Sequence, residues 1–333
     1  MKPETLRHRG DPPLRIMITS AGRRVGLLNS FRNSAAELGL PLEILACDCN
    51  VAMSSACHEA DRRFAVPPAS DPSYVEALLD ICRTHGVALL VPTIDPELQP
   101  LADADQRFAE IGTYVSVSAP ELVAIARDKL ATARFLEAAD VPAPRSATPQ
   151  DILHASEGWE WPLLAKPRSG SSGRAVQHVA NLDAVRSLPD DEDFVVQQLL
   201  QGREYTVNVY FDRSGQMRCA VPHERLQVRS GEVEKGVTRR VPALEQIAAQ
   251  LAQALPGPRG ALCFQAMVQP DGTASVFEIN ARFGGGYPLA HRAGAPFTRW
   301  LLEEVAGRHV SANGGWQEGV LMLRYDAAFF VTP

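Results

Sequence analysis

A carboxylate, an amide and a guanidinium follow one another at intervals of two in the last third of the chain. Glu278, Asn280 and Arg282 leave a short apolar run and enter three consecutive glycines. Side chains two apart share one face of a strand, so the oxygens of Glu278 and Asn280 should lie together. Mg²⁺ is held by one or two carboxylates together with substrate phosphates, and arginine presents a planar fork to phosphate. The segment predicts a metal–triphosphate site; the alternative is a polar strand end before a glycine loop.

Gln265 is the polar residue of an otherwise apolar run at 261–268, and a Pro-Asp-Gly turn follows at 270–272. A second strand after this turn would complete a hairpin, and pairing across it places Gln265 near Glu278. A single glutamine in an apolar strand is more often a satisfied core amide. Its position opposite Glu278 and Asn280 instead favours a third metal ligand.

A lysine and the loop after it could bind phosphate. Lys166 lies near the end of the apolar run 161–167, and the loop that follows contains Ser169, Gly170 and Ser171. Backbone N–H groups and hydroxyls in such a loop can bind phosphate and close over it as a lid. The spacing of a P-loop is absent, and a flexible linker is the alternative.

Two further residues could contact a nucleotide. Lys129 precedes an expected helix over 130–139, where it could equally be a solvated helix lysine. Residues 194–209 predict a strand, a connector and a second strand that begins at Glu204. A connector of this kind can offer its backbone to an adenine edge, and the acid can bind ribose hydroxyls. An exposed acid at a strand start is the alternative.

The charged segment 222–236 lies between the expected nucleotide strands and the metal residues. Arg225 and Arg229, with Lys235 behind them, are candidates for binding a substrate carboxylate or phosphate. The backbone donors of Gly285 and Gly286 are further candidates for the same substrate. A solvated hairpin is the alternative for the charged segment.

The elements that would position these residues follow from periodicity. Strand-like runs at 14–19, 42–47, 88–92 and 114–117 alternate with helical stretches at 25–38, 73–85 and 98–108. This alternation predicts a parallel, doubly wound α/β sheet. The turn at 20–26 suits an anion but lacks the glycine spacing of a dinucleotide fold. Residues 203–333 are expected to form antiparallel strands with one helix at 297–306, an α+β arrangement.

The ordered set of motifs resembles the ATP-grasp enzymes, in particular one ATP-grasp unit of the carbamoyl phosphate synthase large subunit. The motifs are Asp128-Lys129, Leu164-Ala165-Lys166-Pro167, Val196-Gln197-Gln198, Glu204-Tyr205-Thr206-Val207, Gln265 and Phe277-Glu278-Ile279-Asn280-Ala281-Arg282, with N-terminal pieces at 16–24 and 89–97. The resemblance implies an ATP-grasp fold with an N-terminal doubly wound pre-ATP-grasp domain (1–118). A connecting helical segment (119–144), a small lid subdomain (145–202) and a central subdomain with the metal site (203–333) would follow.

The resemblance also implies a role for each motif residue. The phosphates of ATP would be held by Lys129 and Lys166 and covered by Ser169, Gly170 and Ser171. The adenine pocket would be lined by Gln198, Leu199 and Leu200, and Glu204 would bind ribose. Two Mg²⁺ ions, which Mn²⁺ could replace, would be held by Gln265, Glu278 and Asn280. Arg282 would face the transferred phosphoryl group and, with Lys166, would be catalytic.

Composition narrows the class of protein. The 333 residues carry a formal net charge of −6, which does not favour nucleic-acid binding. No apolar run reaches the ~18 residues of a membrane span, and the charged start at 1–9 lacks a signal peptide's apolar stretch. We therefore expect a cytoplasmic enzyme with no membrane partner. The six cysteines resemble reduced core thiols, and the spacing of Cys47, Cys49, Cys57 and His58 matches no standard zinc site.

The sequence hypothesis is therefore an ATP-dependent ligase that activates a small-molecule carboxylate as an acyl phosphate for attack by an amine. Phosphoryl transfer mostly needs positioning and charge neutralisation, which lysines, Mg²⁺ and Arg282 would provide. One alternative is a bicarbonate-activating enzyme similar to carbamoyl phosphate synthase. Another is a non-catalytic nucleotide-binding partner or sensor, against which the intact set of Glu278, Asn280 and Arg282 argues. A homodimer is kept open as the assembly.

Overall fold

The computed structural model describes residues 12–170, 176–189 and 193–331. The described residues form three sheets: one of five parallel strands, one of four strands and one of six antiparallel strands. Both predicted classes, α/β and α+β, are confirmed. No helix among the described residues is long and apolar enough to cross a membrane.

The N-terminal region is a parallel sheet with the strand order β3-β2-β1-β4-β5. Its elements are β1 (Leu14–Ile18), α1 (Val25–Leu38), β2 (Leu42–Asp48), α2 (Ser55–Glu59), β3 (Arg62–Ala65), α3 (Tyr74–His85), β4 (Leu89–Val91), α4 (Asp95–Asp103), α5 (Asp105–Glu110) and β5 (Tyr114–Val115). The four predicted strands are confirmed. The sequence missed β3, an edge strand whose side chains are mostly exposed and therefore lack an apolar run.

The helix predicted over 98–108 was wrong in its bounds, because two helices occupy this stretch. Pro96 lies in the first turn of α4, where a missing N–H costs no hydrogen bond. The buried Glu97 side chain accepts hydrogen bonds from the backbone N–H groups of Thr93 and Ile94. These contacts place the start of α4, and therefore Asp95, directly after the end of β4.

Four helices and a small four-stranded sheet follow among the described residues. They comprise α6 (Pro120–Arg127), α7 (Lys129–Ala138), β6 (Ser146–Ala147), α8 (Pro149–His154), β7 (Leu163–Pro167), β8 (Gln177–Val179), α9 (Leu182–Arg186) and β9 (Phe194–Gln198). Asp128 caps α7, since its carboxylate accepts the N–H groups of Leu130 and Ala131. The strand order in the small sheet is β6-β9-β7-β8. This sheet has its own core, which includes Ile152, Leu163 and Phe194.

The remaining elements build the antiparallel sheet, whose strand order is β14-β13-β10-β11-β12-β15. They are β10 (Arg203–Phe211), β11 (Met217–Arg229), β12 (Glu232–Thr238), α10 (Pro242–Ala254), β13 (Gly260–Val268), β14 (Ala274–Asn280), α11 (Tyr287–Arg292), α12 (Phe297–Val305) and β15 (Leu321–Leu323). The sequence predicted one helix in this region, but the described residues form three, so the predicted number was wrong. The buried residues of α10 have helical spacing, whereas α11 has only six residues and is too short to show a period.

The five-stranded and six-stranded sheets share two apolar cores. Met17 packs in one core with Phe264, and its neighbour Ile16 packs in the other with Phe283 and Trp300. The alternation arises because successive strand residues face opposite sides of a sheet. The two large sheets are therefore held together by continuous packing, which fixes the side chains that project from their edges.

Candidate active site

A cleft of about 1040 Å³ lies where residues of the four-stranded and six-stranded sheets meet segments that follow β1 and β4 of the five-stranded sheet. Its walls come from β7 and β9 of the small sheet, from β10 to β14 of the large antiparallel sheet, and from residues 93–96 at the start of α4. Most of the predicted site residues line this cleft: Lys129, Lys166, Ser169, Gly170, Gln198, Leu199, Leu200, Glu204, Arg225, Gln265, Glu278, Asn280, Arg282, Gly285 and Gly286. Ser171 lies outside the described residues.

The hairpin predicted around Gln265 is confirmed. β13 pairs with β14 in antiparallel register, and Gln265 lies directly opposite Glu278. A bulge follows this pair, and Phe277 lines the cleft together with Glu278. The amide oxygen of Asn280 accepts a hydrogen bond of 3.2 Å from Arg282.

These oxygens have the chemistry of a Mg²⁺ site that a nucleotide completes. Across the described ranges, no group of three or more His, Cys, Asp or Glu side chains could hold a metal alone. Glu278 supplies one carboxylate, and Gln265 and Asn280 supply amide oxygens. Mg²⁺ is commonly bound by one or two carboxylates with the remaining positions filled by phosphates and water. The donor set fits a metal that arrives with a triphosphate.

Lys166 is a buried ammonium that faces the cleft. The residue is 7% exposed, and its side chain makes no hydrogen bond to any part of the chain that the structure describes. Burial lowers the pKa of Lys166 to about 8, although the charge of Glu278 acts in the opposite direction. The ammonium lies 5.5 Å from the centre of the Phe277 ring. An unpartnered buried cation is costly, so this position is suited to an anionic ligand.

Lys129 reaches the same region from the start of α7. Its ammonium donates to the carbonyl of Gly170 at 2.8 Å, and burial lowers its pKa. Glu278 acts electrostatically on both Lys129 and Lys166. Asp128 binds the guanidinium of Arg168, which ties the start of α7 to the loop after β7.

Glu204 also lines the cleft, just after the connector that leaves β9. Its carboxylate forms an ion pair of 3.0 Å with Arg225, and burial raises its pKa. Arg225 also donates to the carbonyl of Gly231. Arg225 therefore lies in the cleft as predicted, but its guanidinium contacts Glu204 and the β11–β12 turn.

Arg229 and Lys235 do not line the cleft, so the structure does not bring these two substrate candidates together with the others. Val228 lines the cleft, so its neighbour Arg229 projects from the opposite face and pairs with Glu234 and Asp326. Lys235 is exposed. Two register shifts between β11 and β12 break the alternation that the sequence suggested.

Asp95 is a site residue that sequence analysis did not single out. Arg282 forms a two-pronged ion pair with it, at 2.9 and 2.7 Å. Burial alone would lower the pKa of Arg282, but the carboxylate of Asp95 outweighs that effect and raises it. The available signal was an acid directly after an apolar strand, within a segment already noted for its resemblance to the N-terminal domain of ATP-grasp enzymes. The strand end in the N-terminal region thus contributes to the cleft.

The comparisons with known proteins agree with this arrangement. Residues 126–286 match the ATP-grasp domain family, and residues 16–116 match the family described as PylC-like, N-terminal domain. The chain therefore contains an ATP-grasp domain. The carbamoyl phosphate synthase large chain of Pasteurella multocida is 24% identical over 336 residues, which cover 90% of this chain. The ATP-grasp chain spans only 30% of that relative's length.

Two solved structures illustrate the shared fold. The biotin carboxylase domain of 2-oxoglutarate carboxylase from Hydrogenobacter thermophilus, in complex with MgADP and bicarbonate, has a TM-score of 0.71 and 14% identity. That match covers 91% of this chain and 72% of the other. L-amino acid ligase from Bacillus licheniformis has a TM-score of 0.66 and 18% identity, over 89% of this chain and 75% of the other. The predicted ATP-grasp fold is therefore confirmed.

Proposed function

We propose that this ATP-grasp protein is an ADP-forming ligase that joins a carboxylate to an amine. The observation that carries the proposal is the convergence of Lys166, Glu278 and Gln265 on one cleft. The buried ammonium of Lys166 has no hydrogen-bond partner among the described residues, and it lies within the electrostatic range of Glu278. A Mg²⁺-bound triphosphate would supply both the anion that Lys166 lacks and the remaining ligands for the metal.

The proposed reaction has two steps. An oxygen of the substrate carboxylate attacks the γ-phosphorus of ATP, the bond to ADP breaks, and an acyl phosphate forms. The lone pair of the amine then attacks the acyl carbon, phosphate leaves with the electron pair of the C–O bond, and the nitrogen loses a proton. Mg²⁺, which Mn²⁺ could replace, would neutralise phosphate charge when bound; two ions are proposed.

The proposal assigns a role to the following residues that line the cleft. Lys129 and Lys166 hold phosphate oxygens, and Ser169 and Gly170 lie beside them. Arg282 stabilises charge on the transferred phosphoryl group while Asp95 fixes its orientation. Gln198, Leu199 and Leu200 contact adenine, and Glu204 binds ribose. The division into domains at 118, 144 and 202 is part of the same proposal, with residues 145–202 as the lid.

The test is release of ADP from MgATP, measured with carboxylates and amines supplied in all pairwise combinations. We expect release to require a carboxylate. Glu278→Gln should lower turnover by at least about a hundredfold, with an unchanged melting temperature. Glu137→Gln is the matched control, because Glu137 is exposed on α7 and should leave turnover unchanged.

Two outcomes would contradict the ligase, and a third would contradict the metal site. Tight ATP binding without ADP release under any combination would favour the nucleotide sensor. Release that depends on bicarbonate alone would favour the alternative similar to carbamoyl phosphate synthase. Normal turnover in Glu278→Gln would remove the basis for the metal site.

A further inference from the structure

A second charged group of side chains adjoins Arg282 on the side of the N-terminal region. It consists of Arg24, which follows β1, Glu232, at the start of β12, and Arg324, which follows β15. Glu232 lies between the two arginines, with Arg24 Nη1 at 3.6 Å and Arg324 Nη1 at 3.9 Å. Both distances exceed a hydrogen bond. We call this group the Arg24–Glu232–Arg324 subsite.

The subsite has unused hydrogen-bonding capacity. Among the residues that the structure describes, none donates a hydrogen bond to the carboxylate of Glu232, and Arg24 donates only one, of 3.3 Å, to the carbonyl of Thr93. Burial lowers the pKa of Arg24, so its charge is already partly removed from water. Two guanidinium groups and one carboxylate leave one positive charge in excess. Partly buried charges with few hydrogen-bond partners favour the binding of a ligand that supplies those hydrogen bonds.

The carboxylate of Glu232 lies against the glycine loop. A Cβ atom at Gly285 would lie 1.2 Å from Glu232 Oε2, so the carboxylate occupies space that only glycine leaves free. Arg324 donates to the carbonyl of the same glycine. Arg24, Glu232 and Gly285 all line the cleft. Arg24 and Glu232 are therefore part of the cleft wall, and Arg324 reaches them from beside Gly285.

The subsite adjoins the proposed phosphate region. Glu278 and Glu232 both act electrostatically on the thiol of Cys263, as do Arg282 and Asp95. Arg282 and Arg24 also interact with each other. A small molecule bound at Glu232 would therefore lie next to the groups proposed to handle the phosphoryl transfer.

We propose that the Arg24–Glu232–Arg324 subsite binds the head group of an α-amino acid, with Glu232 accepting the ammonium and the two arginines binding the carboxylate. The inference rests on the proposed function, whose substrate class it names. An α-amino acid joins its ammonium and carboxylate through one carbon, which matches an acceptor flanked by two donors. A simple amine has no carboxylate for the two arginines, and phosphate has no ammonium for Glu232, so each would leave part of the subsite without a partner.

The test is equilibrium dialysis with a radiolabelled mixture of L-amino acids, in the presence of ADP and Mg²⁺. Parallel mixtures of the N-acetylated amino acids and of the amino-acid amides remove one charge at a time. We expect the protein to bind the free amino acids and neither derivative. Glu232→Gln should weaken binding by at least about tenfold and abolish discrimination against the acetylated mixture. Arg24→Gln should weaken binding similarly and abolish discrimination against the amides.

Matched controls separate these effects from loss of surface charge. Glu76→Gln and Arg107→Gln break an exposed ion pair of 2.7 Å away from the cleft and should leave amino-acid binding unchanged. Gly285→Ala alters no charge but displaces Glu232, so it should reproduce the effect of Glu232→Gln. ADP affinity, measured by calorimetry, should stay unchanged in Glu232→Gln and Arg24→Gln.

The outcomes distinguish this subsite from the ligase proposal. Equal binding of free and acetylated amino acids, unaltered binding in Glu232→Gln and Arg24→Gln, or preference for inorganic phosphate would each overturn the subsite. ADP release driven by carboxylates that lack an amino group, and unaffected by Glu232→Gln, would overturn the subsite and leave the ligase standing. Amino-acid binding without any ADP release would overturn the ligase proposal and leave the subsite standing.

Discussion

At the scale of single residues, Lys166 carries a charge that the folded protein without ligand does not accommodate well. The shift of its pKa from 10.5 to about 8 corresponds to a penalty of about 3 kcal/mol for the charged form in the folded state. The penalty is present below the folded pKa of about 8, where the ammonium stays charged. It fades as pH rises from about 8 to the unfolded value of 10.5, because the folded protein then releases the proton first.

We predict that Lys166→Met stabilises the protein without ligand and weakens ATP binding. The free energy of unfolding should rise by up to about 3 kcal/mol below pH 8, and the gain should shrink towards pH 10.5. Urea unfolding across this pH range measures the first effect, and calorimetry with ATP measures the second. Lys235→Met is the control, since Lys235 is exposed outside the cleft. A variant that loses stability yet keeps its ATP affinity would contradict the phosphate role.

At the scale of elements, the connector between β9 and β10 is held against β13 by one glycine. Gly202 has φ +131°, and a Cβ atom there would lie 2.2 Å from the carbonyl oxygen of Val268. Only glycine combines this backbone conformation with so close an approach. Leu199 and Leu200 line the cleft just before Gly202, so the position of the proposed adenine contacts depends on this packing.

Gly202→Ala should therefore weaken ATP binding by at least about tenfold, because the connector must move away from β13. It should also lower the melting temperature, because the substitution adds backbone strain of ~1–3 kcal/mol. Calorimetry and thermal unfolding give the two values. Gly215→Ala is the matched control. Gly215 also has a positive φ of +81°, but a Cβ atom there would lie 3.5 Å from the carbonyl oxygen of Pro258, an ordinary van der Waals contact. Equal loss of ATP affinity in both variants would show that the connector does not set the adenine contacts.

At the scale of the whole molecule, the Asp95–Arg282 pair links the N-terminal region to the antiparallel sheet across 187 positions of sequence. The side chain of Arg282 is 11% exposed. Removing one partner of a buried ion pair leaves the other charge uncompensated, which typically costs ~3–5 kcal/mol. The pair therefore couples the stability of the two regions to the geometry of the cleft.

Asp95→Asn should lower the free energy of unfolding by about 3 kcal/mol and abolish ADP release. The double substitution of Asp95→Leu with Arg282→Met should recover much of the stability and none of the activity. Asp105→Asn is the control, because the Asp105–Arg259 pair also joins the two regions at 2.9 Å but is more exposed. This substitution should lower the free energy of unfolding by less than about 1 kcal/mol. If Asp95→Asn behaves like Asp105→Asn, the pair has no special role.

The sequence determined the elements that depend on local pattern. Apolar periodicity and turn residues act over a few positions of the chain. They predicted the hairpin that pairs Gln265 with Glu278, the strand that carries Lys166, and helix α1. The ordered motifs also gave the fold, because their resemblance spans most of the chain. Local pattern was insufficient where an element is short or exposed, as in β3 and α11.

Only the tertiary structure decided which distant residues meet in the cleft. Asp95 reaches Arg282, and Arg24 and Arg324 approach Glu232, because the two large sheets share their cores. Such contacts depend on how sheets pack and not on spacing along the chain. Bulges between β11 and β12 turned Arg229 away from the cleft, since one extra residue reverses the face of every side chain beyond it.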